Sequence, residues 1–414
     1  MTVAARPATY REVFAEPSFR TLFVARIFAI SATSLQIFAL SVLVYMTTES
    51  PLLSAVAFGA GFLPQFAGGL LFGSLTDRLR PCPLIVTGYS VEAVLSAVLG
   101  LADLPVGVAL LLVAAIACFT PVFAGAAAKV IAERLTGDAY VLGRSVSSMS
   151  SSFAQLLGLA GGGVAVAALG ARHALLLAAA FFLVAAVIVQ VALPSRHRAP
   201  GPADDRRGAV RDGGAVRDGA VRGGTIRDSW SGAIAMLADP TIRRLLLAQW
   251  LPSAMVVGAE ALLVAYSAAR GFPPGAGAVL MAGPAAGMLL GNFVVGRFVR
   301  PARRERLSGP LVLLLGAPLL LLPAGPPFPV TAALLVASGF GFAYSLGLQR
   351  AFLEAAPEDR LGQLFALLST GLMALQGTGP LLAGALAELT TPATAIACAG
   401  AATMLVAVTT KRPR

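Results

Sequence analysis

Gly73-Ser74-Leu75-Thr76-Asp77-Arg78-Leu79-Arg80-Pro81 is a polar step between two apolar blocks. The chain is apolar over roughly 52–76 before it and over roughly 83–101 after it. A helix needs about 20 apolar residues to cross a hydrocarbon core about 30 Å thick. The step therefore reads as a short loop joining two membrane-crossing helices. Working outward, the same alternation of apolar block and short break fills most of the 414 residues. Hydrophobic residues make up 57% of the chain and charged residues only 12%, about half the charge of a soluble domain. The mean hydropathy is +0.81. The fold class expected is all-α and polytopic, with twelve transmembrane helices in two six-helix bundles.

The spans run over roughly 19–47, 52–76, 83–101, 105–127, 145–168, 173–193, 241–268, 275–299, 307–323, 328–351, 361–387 and 391–410, placed by apolar length and loop breakers. On one side the connections are very short: Thr48 to Pro51, Ala102 to Leu104, Gly271 to Pro274, Ala324 to Pro327 and Glu388 to Thr390. Of the 31 basic residues, only Arg172 and Arg270 fall on that side, and Arg26 falls within the first span. Cytoplasmic loops keep Lys and Arg because these resist translocation, so both termini are expected inside. The two lysines, Lys129 and Lys411, stand against a large excess of Arg, Ala and Gly. That composition fits a GC-rich bacterial genome, and a multi-pass protein of the cytoplasmic membrane.

The longest break divides the spans six and six. The domains expected are a cytoplasmic N-terminal segment over 1–18, a bundle over 19–194, a cytoplasmic linker over 195–239, a second bundle over 240–410 and a tail over 411–414. The linker repeats a short pattern, Val210-Arg211-Asp212-Gly213, Val216-Arg217-Asp218-Gly219, Ile226-Arg227-Asp228. Charged and Gly-rich, it is expected to be disordered, either as a neutral connector or as a basic strip on anionic lipid. After it, Trp230, Ile234 and Leu237 share a helical face and predict a short helix at the membrane surface. The N-terminal residues Arg6, Arg11, Glu12, Glu16 and Arg20 are too polar for a cleaved signal peptide, so the first apolar block is expected to stay as a helix.

The opening stretch resembles the signature loop of the major facilitator superfamily, Gly-x-Leu-x-Asp-Arg-x-Gly-Arg-Arg/Lys, and lies where that family places it. The match runs through Arg78; then Arg80 replaces a glycine, and Pro81 and Cys82 replace basic residues. Asp77 is a carboxylate at a helix end, suited to the N-terminus of another helix. The resemblance implies that this partner is the start of the eleventh span. It implies too that Arg78 reaches an acidic group at the end of the fourth, here Glu133. Gly73, Asp77, Arg78, Arg80 and Glu133 would then latch the halves on the inner side. Thr47-Thr48-Glu49-Ser50-Pro51 and Leu63-Pro64 look like the first hairpin of an exporter-type subgroup that includes the enterobactin exporter and macrolide efflux proteins.

Two glycine clusters stand at equivalent spans. Gly158, Gly161, Gly162 and Gly163 in span five resemble the antiporter motif Gly-Pro-x-x-Gly-Gly, with Leu159 in the place of its proline. Gly377, Gly379, Pro380 and Gly384 occur in span eleven. Both read as close helix packing, which in an exporter can also seal one side. Arg297, Arg300, Arg303 and Arg304 form a worn second copy of the signature loop, without an acidic match for Asp77.

Charge inside a span costs about 2.5–3.5 kcal/mol on insertion scales, so three residues stand out. At 1.5 Å per residue, Arg26 and Glu92 lie roughly 10 Å and 14 Å from the inner end. They are expected to pair, either as a structural bridge or as a proton-coupled switch. Glu260 lies roughly 27 Å along span seven, where the resemblance implies a cavity wall. It reads either as a proton carrier or as a carboxylate that snorkels outward or pairs with Arg270. Gln36, Gln249, Gln349 and Gln376 are candidates for lining a substrate cavity, or for interhelical hydrogen bonds.

No P-loop frame holds either lysine, His173 and His197 lie in or beside loops, and Cys82, Cys118 and Cys398 are far apart. No cofactor, metal site or catalytic constellation is expected, and nucleic acid is excluded because the arginines sit at helix ends. The function expected is a proton-coupled secondary exporter of a small apolar or amphipathic molecule. Its partners would be that substrate, protons and the bilayer, and it would work as a monomer. The alternatives are an uptake permease of the same fold, or a non-transporting membrane sensor or assembly protein.

Overall fold

The computed structural model describes residues 10–72, 80–135, 137–193, 234, 236–273, 275–355 and 361–409. Among these there is no strand. After a short helix, Tyr10–Ala15, the chain forms twelve helical spans. The N-terminal six are Pro17–Thr48, then Pro51–Gly59 with Phe62–Phe72, Pro81–Leu101, Val106–Ala117 with Thr120–Arg134, Gly137–Leu169 and Ala171–Ala192. The C-terminal six begin with Pro240–Ala261 with Leu263–Ala269, Ala276–Phe298, and Pro301–Gly316 continued by a 3₁₀ stretch, Ala317–Ala324. They end with Phe328–Phe340 leading to Tyr344–Ala355, Leu361–Leu389 and Pro392–Thr409. Nine described spans are both long and apolar enough to cross a membrane.

Local chemistry sets the helix ends. Proline stands in the first turn of several helices, among them Pro17, Pro51, Pro81, Pro240 and Pro301. Its missing N–H costs nothing there. Asp239 caps span seven by accepting from the N–H groups of Thr241 (2.7 Å) and Ile242 (3.2 Å). At the end away from the termini the turns are tight. Gly170, Gly271, Gly275 and Gly325 all take positive φ there, as does Glu49 at φ 54°. Glycine adopts that region without steric cost; Glu49 does not.

Several spans are broken where the apolar pattern predicts one continuous helix. Span two breaks at Ala60–Gly61, span four at Cys118–Phe119 just before Pro121, and span seven at Leu262. Span nine winds into 3₁₀ geometry where Pro318 and Pro323 remove donors. Apolar composition registers the hydrocarbon environment and not these interruptions.

The packing repeats between halves. Span one packs on five and six, and three on six; span seven packs on eleven and twelve, and nine on twelve. Across the halves, span five meets eight and span eleven meets two. Each set maps onto the other when six is added to the span number, as a duplicated bundle requires.

The surface helix expected near Trp230 lies mostly outside the described residues, as does the rest of the 195–233 stretch. Its described end turns a different face inward. Met236 is buried in a cluster with Ile242, Leu246, Trp250 and Phe352, Leu237 packs against that cluster, and Ile234 is exposed. The segment docks on the C-terminal half because these apolar partners cover it.

Candidate functional site

The halves meet along two seams made of the glycine clusters. In span five, Gly158 and Gly162 are four residues apart and share one helical face. That face lies on span one: a Cβ on Gly158 would come within 2.4 Å of the Ser31 carbonyl oxygen, and one on Gly162 within 3.1 Å of Leu35. Gly163 points elsewhere, across to the other half, where its Cβ would meet Ala278 at 2.4 Å. Gly275 answers from that side, close to the Gly163 carbonyl and Ala167.

Span eleven repeats the division. A Cβ on Gly379 would lie 2.3 Å from the Ala254 carbonyl oxygen of span seven, inside the same half. One on Gly377 would lie 2.5 Å from Leu63 in span two, across the seam. Pro380 sits against Gly59, and Gly384 against Leu52 and Ala55. These cross-half contacts all involve the half of the spans away from the termini. There Phe38, Ala55 and Leu159 join one buried cluster with Val256, Ala259 and Leu263 of the other half.

A polar contact closes the distal end of the eleven–two seam. Glu388 accepts a hydrogen bond from the Ser50 hydroxyl and a second, at 3.2 Å, from the Leu52 N–H. Ser50 is the N-cap of span two, and its side chain accepts from the Leu53 N–H at 3.1 Å. Two of the free N–H groups at that helix start are therefore satisfied, one by its own cap and one from the opposite half. Sequence reasoning missed this role. The sequence places Glu388 in a short connection, whereas it lies in the last turn of span eleven, and only the opposing helix start reveals its role.

The buried charges take other partners than those expected. Arg26 donates from Nε to the Ser151 hydroxyl in span five (3.0 Å) and lies within electrostatic reach of Tyr89. Glu92, one turn beyond Tyr89, accepts from the Thr120 hydroxyl at 3.3 Å, at the break in span four. There is no Arg26–Glu92 ion pair among the described residues; the two side chains turn to different neighbours, Ser151 and Thr120. Arg270 does not pair with Glu260. It donates to the Gly325 carbonyl (2.5 Å) and stacks on Phe272. Arg172, the other basic residue of that end, forms an ion pair with Asp103.

Glu260 is partly buried and has no hydrogen-bond or ion-pair partner among the described residues. It precedes the break at Leu262 and shares a helical face with Gln249 and Ser253, eleven and seven residues earlier. Ser253 accepts from the Gln376 amide of span eleven at 3.2 Å. The Gln249 carbonyl accepts from the Tyr344 hydroxyl at 2.8 Å. Gln36 is buried in span one. Thus Gln249, Gln376 and Glu260 gather on span seven and its neighbour, while Gln36 belongs to the other half.

Gly73, Asp77 and Arg78 lie outside the described residues, as do the side chains of Glu133 and Gln349. Arg80 is exposed at the start of span three. In the second loop, Arg304 donates to the carbonyls of Val299 (2.8 Å) and Gly296 (2.5 Å), capping the end of span eight.

Comparison with known proteins agrees with this architecture. A POT family transporter, solved with a thioalcohol-conjugated peptide, superposes with a TM-score of 0.68 at 11% identity, over 94% of each chain. A bacterial homologue of the human lysosomal transporter Spinster, inward-facing and unoccupied, superposes with a TM-score of 0.62 at 16% identity, over 97% of this chain and 95% of that one. At such identities the likeness is one of fold. No curated protein matches by sequence. The family model of the Major Facilitator Superfamily matches residues 22–355, most of the chain and both halves. With two six-helix bundles meeting along paired glycine seams, the chain belongs to the Major Facilitator Superfamily and is an integral-membrane secondary transporter.

Proposed function

We propose that this transporter is a proton-coupled exporter of a small apolar or amphipathic molecule. The observation that carries the reading is Glu260: a carboxylate inside a span, without a partner among the described residues, on the face that also presents Gln249 and Ser253. An intramembrane carboxylate is costly, and its default reading is a site on an ion or proton path. With the termini in the cytoplasm, the distal seams face outside, and the closed distal end corresponds to an inward-open state. Protonation of Glu260, or of Glu92, favours that state. Release of the proton to the cytoplasm lets Asp77 dock on the start of span eleven, with Arg78, Arg80 and Glu133 completing the inner latch. Halves that rock about a midplane site in this way give alternating access. The exporter-type hairpin and the span-five glycines support the outward direction.

Transport of a lipophilic dye into everted vesicles tests this. An imposed pH gradient should drive uptake, and its collapse should abolish it. Glu260→Gln should bind dye yet lose the response to the gradient; unchanged coupling in both Glu260→Gln and Glu92→Gln would refute the proton path. Asp77→Asn should retain binding and lose turnover, and normal turnover in that variant would remove the inner latch.

A further inference from the structure

A cavity of about 700 Å³ opens at the termini end of the C-terminal half, between spans seven, nine, ten and twelve. That volume falls in the range of about 300–1,000 Å³ typical of small-molecule sites. It is not part of either cross-half seam: spans nine and twelve pack within their own half. A ligand held here would stay with one bundle while the halves rock, which suits a resident component and not cargo.

The lining is divided by chemistry. Arg244, Arg306 and the hydroxyl-bearing Thr241 and Ser308 stand toward the helix ends. Ala248, Pro310, Val312 and Leu348 line it further in, with Leu245 beside Arg244. At 1.5 Å per residue, Thr241 to Ala248 and Arg306 to Val312 each span about 10 Å. The cavity therefore begins where headgroups lie and extends into the depth of acyl chains.

Its two arginines are uncommitted. Arg304, in the same turn, spends its guanidinium on the carbonyls of Val299 and Gly296. Arg244 and Arg306 have no hydrogen-bond or ion-pair partner among the described residues. Glu305 also lines the cavity but has interactions of its own, which leaves an excess of positive charge at the mouth. Guanidinium groups match phosphate oxygens in shape and charge. Basic pockets between transmembrane helices on the positive side of a membrane bind anionic headgroups.

We propose that this cavity is a binding site for an anionic phospholipid, its phosphate held between Arg244 and Arg306 and an acyl chain laid along Leu245 and Leu348. The chemistry shared with a free phosphate is the oxyanion; the apolar interior argues for the lipid.

The test uses the full-length protein in detergent, with phosphatidylglycerol, phosphatidylcholine or inorganic phosphate added in separate titrations. Bound lipid is counted by native mass spectrometry and thermal unfolding is followed alongside. Phosphatidylglycerol should remain bound and raise the melting temperature, with no comparable effect from the other two. Arg244→Gln with Arg306→Gln should weaken its binding roughly tenfold or more. Arg243→Gln with Arg303→Gln removes the same charge from exposed neighbours outside the cavity, and should leave binding in place. Should the glutamine pair fail to fold, Arg244→Lys with Arg306→Lys keeps the charge and should keep the lipid. Equal retention of phosphatidylcholine overturns the proposal, as does loss in the Arg243 and Arg303 pair equal to that in the cavity pair. A lysine pair that binds phosphatidylglycerol no better than phosphatidylcholine overturns it too. A thermal shift from inorganic phosphate matching that from the lipid reduces the site to a free-anion site.

Discussion

Spans five and eleven occupy equivalent places in the two halves, and each carries glycines on two faces. On both, one face lies inside its own half, on span one or seven, and the other crosses to the opposite half, on span eight or two. The distal ends differ. The five–eight seam closes on Gly163, Ala167, Gly275 and Ala278, all small. The eleven–two seam instead sets its glycines against Leu52, Ala55 and Leu63, and adds Glu388 on the start of span two. Duplication explains the shared shape, and the asymmetric carboxylate adds a polar contact to one seam alone. The glycine of each face thus has a distinct consequence: one holds a bundle together, the other lets two bundles touch.

That distinction is breakable by substitution. Gly158→Val and Gly379→Val place side-chain atoms against a neighbouring backbone within one half. Overpacking of about 1–3 kcal/mol should lower the melting temperature by several degrees in detergent. Gly163→Val and Gly377→Val are equally crowded, yet the clash is across the seam. The same about 1–3 kcal/mol should there shift the population toward a separated distal end, about 5–150-fold. Labelling of Ala55→Cys, with Cys82, Cys118 and Cys398 replaced by serine, reads that shift. If both pairs change melting temperature alike and leave labelling alone, the two-face distinction is wrong.

Glu388→Gln sharpens the comparison between seams. A hydrogen bond to a charged group is worth about 1.5–3 kcal/mol when buried, and this exposed one less, about 1 kcal/mol. Labelling at Ala55→Cys should rise about fivefold, with a matching rise on the five–eight seam at Ala278→Cys because the halves part together. Glu49→Gly carries the smallest effect. Relief of a left-handed non-glycine residue is worth about 1–2 kcal/mol, partly offset by about 0.4–1 kcal/mol of added unfolded-state freedom. A net gain of about 0.5 kcal/mol should appear as a small rise in melting temperature, with labelling unchanged.

Much of the fold is legible in the chain because hydrocarbon is an unforgiving solvent. Each apolar block must be helical to satisfy its backbone, so the spans follow from length. The face division of the glycines is legible too, since Gly158 and Gly162 differ by four residues and Gly163 turns away by one. Partners are not. Arg26 and Glu92 match in depth, but depth is one coordinate, and rotation about the helix gives Arg26 to Ser151 and Glu92 to Thr120. Glu388 looks like a loop residue until span two is brought beside it. The cavity beneath Arg244 and Arg306 draws on four spans from across the C-terminal half, and no local pattern links them.

The smallness of the seams has a consequence for the cost of motion. Burying a long side chain forfeits up to about 2 kcal/mol of rotamer freedom, whereas Gly and Ala forfeit none. On the five–eight seam Gly163, Ala167, Gly275 and Ala278 can therefore part and meet again without freezing or releasing rotamers. Separation exposes few atoms that must find new positions, and the bundles can travel as rigid bodies. What ordering remains is concentrated on the eleven–two seam, in Leu52, Leu63, Ser50 and Glu388. The five–eight seam behaves as a bearing surface, and the entropic toll of closure is collected on the other seam.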